Sequence, residues 1–509
     1  MWKKLLITGC VTFSLLSGGT LSAQPSCEIK EEVTSEQLDR TQKELVAMMK
    51  ELKNDSYFQT ELDKAAVQSS LSKRMAAYKD LTVRLLSVLE IQAELEWMKP
   101  EAIQEALGIM KKSSGFDAVL ADKRFGELKS LLAGGFDGIY TGDAQAIDKA
   151  NKTLTLKRKL MLMSPDVNVD KMLTVKFDLG ERANFVGAGS LGIQPNNWSN
   201  LSSASRKNFK AQLVELSGLQ SGELSEKVLY KPAVDGSSVT DLVLNWDGKR
   251  LMFTALDTTR RWQVHELDIN NGEAKQVTNI PEPDLEFFDG TYLPDGRMLA
   301  ISNIGYQGVP CVNGSDAVGN MVLYDPSNGY LRRLTFDQDA NWHPVVMANG
   351  KVMYVRWEYT DLTHYFSRIV MHMNPDGTEQ KSLYGSGSMF PNSIFDVQPL
   401  PKHTNRFVGV ISGHHGVARS GRLMIFDPAK SRKEEKGMIQ ELPFRGRPII
   451  PEVKDELVNG VWPQFIKPYP LTDETFLVTA KLSPYSRWGI YLVDIYDNLT
   501  LVANADDAG

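Results

Sequence analysis

No histidine occurs before His265, so all seven fall in the second half of the chain. Between Ser26 and Lys99 there is neither glycine nor proline. Three cysteines are scattered over 509 residues, and none is followed three positions later by another. That excludes a disulfide framework and a Cys-x-x-Cys-His haem attachment site. Long apolar runs are also missing. The best one, Leu5 to Leu16, is broken by Gly9 and Ser14 and falls short of the ~20 residues that a spanning helix needs.

That short run instead reads as the core of a secretory leader over residues 1–23. Lys3 and Lys4 precede it, and Leu21-Ser22-Ala23 supplies a small-residue cleavage site. The expected product is periplasmic or secreted, with no membrane span. Fifty-seven basic and 63 acidic residues give a net charge of −6, and loss of Lys3 and Lys4 takes it to −8. A chain of that sign is a poor partner for nucleic acid. Cys10 leaves with the leader. Cys27 follows Gln24-Pro25-Ser26, a poor context for lipid attachment.

Residues 24–153 read as a helical segment. Glu, Lys, Leu, Ala, Gln and Met dominate it, and all are good helix formers. Thr34 and Gln37 have the spacing of a capping box, and Leu38, Leu45, Met49 and Leu52 share one helical face. A break at Asn54-Asp55-Ser56 leads to a second helix carrying Leu71, Met75, Tyr78, Leu81, Leu85 and Leu89. Pro100 opens a third, and shorter helices are expected at 101–112 and 144–152. Such a segment is a packing element that docks a protein partner or a second copy.

From residue 154 to 509 the texture changes to short β-branched and aromatic runs between turn residues. One unit is a turn followed by an alternating strand. It occurs as Asp247-Gly248-Lys249 before Leu251, Asp295-Gly296-Arg297 before Met298, and Asn349-Gly350-Lys351 before Val352, with degenerate copies at 400–410 and 470–478. A hairpin follows each, turning at Asn271-Gly272, Asn328-Gly329 and Asp376-Gly377. Asp-Gly and Asn-Gly tolerate the positive φ that tight hairpins demand. The period is 48 residues from Asp247 to Asp295 and 54 from Asp295 to Asn349. Four strands per ~50 residues mean radial blades. Five units are visible and 155–235 has room for another. The expected fold is therefore mainly β, an about six-bladed β-propeller preceded by an α-helical N-terminal segment.

Several runs resemble the propeller of the hydrazine synthase alpha-subunit family: Asp295-Gly296-Arg297, Gly308-Val309-Pro310-Cys311, Tyr324-Asp325-Pro326, the stretch from Gly350 through Arg356-Trp357-Glu358-Tyr359, Met373 to Gly377, His414-His415-Gly416, and Pro468 to Leu471. The likeness covers residues 155–505. The Asp-Gly-Lys turns are also similar to those of Tol-system and prolyl oligopeptidase propellers. The resemblance implies the fold. It does not carry hydrazine synthesis, which in that family depends on c-type haems held by Cys-x-x-Cys-His sites that this sequence lacks.

Loops that follow equivalent strands share one rim of a propeller. Cys311, His343, Glu358, His364, His414 and His415 are therefore candidate metal ligands at one mouth of the central channel. A thiolate, imidazoles and a carboxylate suit zinc or copper, and the resemblance implies a cysteine-ligated metal. Ordinary packing and loop roles for these side chains are the alternative. Residues 187–192 match a dinucleotide-loop pattern but have no βαβ context, and Ser190 lacks the glycine a nucleophile elbow needs at position 188. Two readings follow. One is an exported, non-catalytic binding or scaffolding propeller. The other is a metal-dependent or redox enzyme subunit with its site near Cys311 and His414.

Overall fold

The computed structural model describes residues 33–167, 170–178, 200–204, 206–207, 209–221, 223–310, 313–359, 366–413 and 419–504. The leader, Cys27, residues 187–192, Cys311, His364, His414 and His415 lie outside the described residues.

Among the described residues six α-helices come first: α1 Ser35–Met49, α2 Ser56–Ala66, α3 Leu71–Glu96, α4 Pro100–Met110, α5 Ala118–Leu132 and α6 Ala144–Met161. The capping box forms as the sequence implies. Gln37 N donates to the Thr34 hydroxyl at 3.2 Å, and the Gln37 side chain accepts from Thr34 N at 2.9 Å. The expected second helix is in fact two, because Ser70 takes the cap position and accepts from Lys73 N, starting α3 afresh. Sequence reading did not find α5, which Asp117 caps through Leu120 N although Gly126 stands inside it. α6 runs nine residues past Lys152, since its apolar face continues through Leu160 and Met161.

The remainder is mainly β, in antiparallel sheets. Three four-stranded sheets have the plain order β4-β5-β6-β7 (Val239–Leu244, Arg250–Leu256, Trp262–Asp268, Ala274–Gln276), β8-β9-β10-β11 (Phe287–Tyr292, Met298–Ser302, Asn320–Asp325, Tyr330–Arg333) and β20-β21-β22-β23 (Gln464–Pro470, Thr475–Lys481, Gly489–Asp494, Leu499–Asn504). Two more, β12–β15 (Asn341–Val346, Val352–Tyr359, Phe366–Met373, Lys381–Tyr384) and β16–β19 (Ser393–Pro399, Phe407–Ser412, Arg422–Phe426, Met438–Leu442), share one parallel strand bridge, Arg368 to Ser393. The expected turns at Gly248, Gly296 and Gly350 connect first strand to second, and those at Gly272, Gly329 and Gly377 connect third to fourth. Gly296 and Gly350 hold φ of 90° and 78°, where a side chain would be strained. Successive sheets pack through their first strands, β4 on β8, β8 on β12, β12 on β16 and β16 on β20.

Between the helices and β4 lies a three-stranded sheet, β1-β2-β3 (Lys171–Asp178, Lys210–Ser217, Ser225–Tyr230). Among the described residues no strand precedes β1 in this sheet. α6 occupies that part of the sequence.

The helices are joined to the last two sheets by buried hydrogen bonds and by ion pairs nearer the surface. Lys157 is 3% exposed, and its ammonium donates to Trp97 O and to Leu499 O on β23, both at 2.7 Å. Asn498 Nδ2 donates to Ala102 O at 3.1 Å. Arg445 forks onto Glu105 and Arg487 onto Glu90, each through two bonds of 2.6–2.8 Å. Trp97 meets Phe444 edge-on with ring centroids 5.4 Å apart. Among the described residues no helix is long and apolar enough to cross a membrane.

Candidate functional site

Each of the five first strands carries a β-bulge at an equivalent place: Thr240/Val243, Phe288/Thr291, Trp342/Val345, Phe395/Gln398 and Ile466/Tyr469. The first residue inside each bulge is left-handed, with φ of 55° at Asp241, 52° at Asp289, 54° at His343, 50° at Asp396 and 50° at Lys467. Bulges re-aim a side chain and increase local twist. Aspartate tolerates this conformation better than most residues. Histidine and lysine hold it here under tertiary constraint.

The five side chains meet where the first strands meet. Asp241 Oδ2 accepts from Asp289 N at 3.2 Å, Asp289 Oδ2 accepts from His343 N at 2.6 Å, and Asp396 Oδ2 accepts from Lys467 N at 3.1 Å. Three carboxylates thus each cap the bulge N–H of a neighbouring sheet. The His343 ring stands between two of them, Nδ1 3.5 Å from Asp289 and Nε2 3.3 Å from Asp396. The Lys467 ammonium lies 2.9 Å from Asp396 Oδ1, with half of its side chain still reaching solvent. Arg419, on the connection between β17 and β18, stacks over Trp342 and Phe395 at 5.0 and 4.9 Å from their ring centroids.

The electrostatics follow from this crowding. Burial works to raise the Asp396 carboxyl, yet Lys467 and His343 hold it well below the usual carboxylate range. Asp289 is likewise lowered, with the penalty of burial outweighed by His343 and Lys467. Asp241 goes the other way, raised by burial and by the charge of Asp289. Burial would lower Lys467, but the surrounding carboxylates raise it. Arg419 is pushed down to about 10 by burial, against the pull of Asp396 and Asp289. Asp289 and Asp396 are thus favoured as anions by the Lys467 and His343 side chains beside them.

Of the residues singled out in the sequence, His343 reaches this cluster. Glu358 sits at the far end of β13 and pairs with Arg356 at 3.1 Å, and Arg356 also reaches Asp337 at 3.2 Å. Among the described residues no group of three or more His, Cys, Asp and Glu is arranged to hold a metal ion. Sequence reading missed Asp241, Asp289, Asp396, Lys467 and Arg419. A signal for the first four is present: they stand, with His343, six residues before Asp247, Asp295, Lys402, Asp473 and Asn349 of the repeated turns.

A second polar group surrounds Glu286, at the entry to β8. Arg206 lies 2.8 Å from its carboxylate, and Trp262 N donates to it at 3.2 Å. Arg261 is held by Asp257 at 2.9 Å. Burial pushes Glu286 up to about 7, with Arg206 opposing. Between the ordinary 4.5 and about 7 the folded chain keeps a proton that the unfolded chain has released, so stability falls as pH rises through that window. Glu286→Gln should remove this dependence. The wild type is expected to lose roughly 2–3 kcal/mol relative to the variant between pH 5 and 8, read from denaturant unfolding at both pH values.

No family model matches the chain, and no curated protein matches it. Solved structures do. "Kuenenia stuttgartiensis Hydrazine Synthase" aligns at 14% identity over 67% of this chain and 45% of that one, with a TM-score of 0.50. TolB from Acinetobacter baumannii aligns at 12% identity over 70% and 69%, TM-score 0.39, and a TolB-type protein from Agrobacterium tumefaciens at 17% over 34% and 57%, TM-score 0.27. This chain spans less than half of the hydrazine synthase chain it matches. Likeness at that identity concerns the fold, and the fold is of the propeller type.

Proposed function

We propose that the chain is an exported six-bladed propeller, related in fold to the hydrazine synthase alpha-subunit family, that acts as a binding or scaffolding protein. The observation that carries this reading is the use made of the axial carboxylates. Asp241, Asp289 and Asp396 each spend an oxygen on the bulge N–H of a neighbouring sheet, which is the work of a rigid frame. The three-stranded sheet counts as the sixth blade. Residues 1–23 carry the expectation of export, and the helices, welded to the last sheet, extend the frame on one flank for a protein partner or a second copy.

The test is in-cell crosslinking of the tagged full chain, with the processed N-terminus read by mass spectrometry on the same sample. The reading expects an N-terminus at Gln24 and crosslinks to one exported protein or to a second copy. A chain still carrying residues 1–23, or crosslinked only to itself within one molecule, overturns it.

The metal-dependent or redox reading stands second, favoured by the approach of His343 to two aspartates. Lys467 and Arg419 already neutralise those carboxylates, so the reading rests on Cys311, His364, His414 and His415. Elemental analysis of the purified protein decides it. Near one equivalent of zinc or copper, lost in Cys311→Ser, would replace the scaffolding reading.

A further inference from the structure

A cleft of about 370 Å³ opens beside Glu286, at the small end of the range for ligand sites. Its walls come from three separate loops: Ser202 and Arg206 before β2, Pro283, Asp284 and Glu286 before β8, and Asn303 with Gly314 and Ser315 between β9 and β10. Arg261, at the start of β6, completes it.

The lining is almost wholly polar, which is wrong for an apolar ligand. It is also wrong for a phosphate. Both guanidiniums already hold carboxylates, Arg206 on Glu286 and Arg261 on Asp257, and the Asp284 carboxylate would face the anion. Adjacent hydroxyls on a ring match it better. Each hydroxyl both donates and accepts, so a vicinal pair bridges a carboxylate and a guanidinium or carboxamide. Asp284 is exposed, and its carboxylate takes no hydrogen bond among the described residues. Ser315 is likewise exposed and offers a hydroxyl. Asn303 is held in place by its own bonds, its amide donating to Asp284 O at 2.8 Å and its carbonyl accepting from Glu286 N at 2.9 Å.

The loop that carries Asn303 also carries an aromatic ring. Tyr306 lies three residues beyond the lining Asn303, is tied to it by Tyr306 N donating to Asn303 O at 2.9 Å, and is 61% exposed. An exposed aromatic ring beside a polar cleft gives the C–H face of a sugar ring a surface to lie on.

We propose that this cleft binds a saccharide, with one or two rings lying between the Arg206–Glu286 pair and the Tyr306 side chain. The site goes beyond the scaffolding reading and stands without it. The probe is an array of neutral and uronic-acid mono- to tetrasaccharides, incubated with the full wild-type chain, with calorimetry on the best ligand. Tyr306→Ala and Asp284→Ala change exposed side chains, so thermal unfolding should match the wild type. Each is expected to weaken the best saccharide by about tenfold or more. No saccharide retained by the wild type, or a dissociation constant unchanged in either variant, overturns the proposal.

Discussion

Asp396→Ala is expected to destabilise the chain by about 2–4 kcal/mol, read from chemical denaturation at pH 7. The Asp396 carboxylate is nearly buried and serves three groups at once: Lys467 N, the Lys467 ammonium and the His343 ring. Its removal strands a bulge N–H and leaves two neighbours without their shared anion. The loss stays below that of a fully buried pair because half of the Lys467 side chain reaches water. Asp241→Asn makes the contrast. Asp241 is the aspartate that burial and Asp289 push up, and an asparagine still offers an oxygen to Asp289 N. That variant should lie within about 0.5 kcal/mol of the wild type. Equal losses at the two positions would mean that the carboxylates act as independent fillers of the axis.

Lys157→Ala is expected to cost about 3 kcal/mol or more, since it empties a buried site and orphans two carbonyls on different parts of the fold. Lys157→Met keeps most of the volume and should cost less. The pair also carries a pH signature. Burial lowers the Lys157 ammonium from 10.5 to about 8. Between those values the unfolded chain binds a proton that the folded chain has released, so wild-type stability rises with pH across the window. Relative to Lys157→Met, the wild type should therefore gain stability from pH 8 to 10. A flat difference over that range would show that the amine is hydrated and the helices are not anchored through it.

What the sequence revealed was the local part of this structure. The Thr34–Gln37 capping box needs only four residues to declare itself, and the Asp295-Gly296 and Asn349-Gly350 turns follow from their own backbone demands. The axial cluster was hidden although its period is in the same repeats. Asp289 and His343 are 54 residues apart, and the meaning of each lies in the N–H of a neighbouring sheet. Attention to histidine and cysteine as metal ligands placed His343 near Glu358, while the folded chain sets it among aspartates and gives Glu358 to Arg356. Lys467 replaces aspartate at the fifth repeat position, so a search for a conserved residue type within the repeats would have passed over it. α5 has weak local signals: Gly126 disfavours a helix that the Asp117 cap and the buried Phe125 and Leu128 nonetheless sustain.

The most direct test of the central claim is amide hydrogen exchange at Asp289, His343 and Lys467, resolved to single residues, in wild type and in Asp396→Ala. If the aspartates clasp neighbouring sheets around one axis, all three amides exchange slowly in the wild type, and the Lys467 amide alone becomes fast in the variant. Three amides exchanging as fast as those of exposed turns, or a Lys467 amide indifferent to the loss of Asp396, would contradict it.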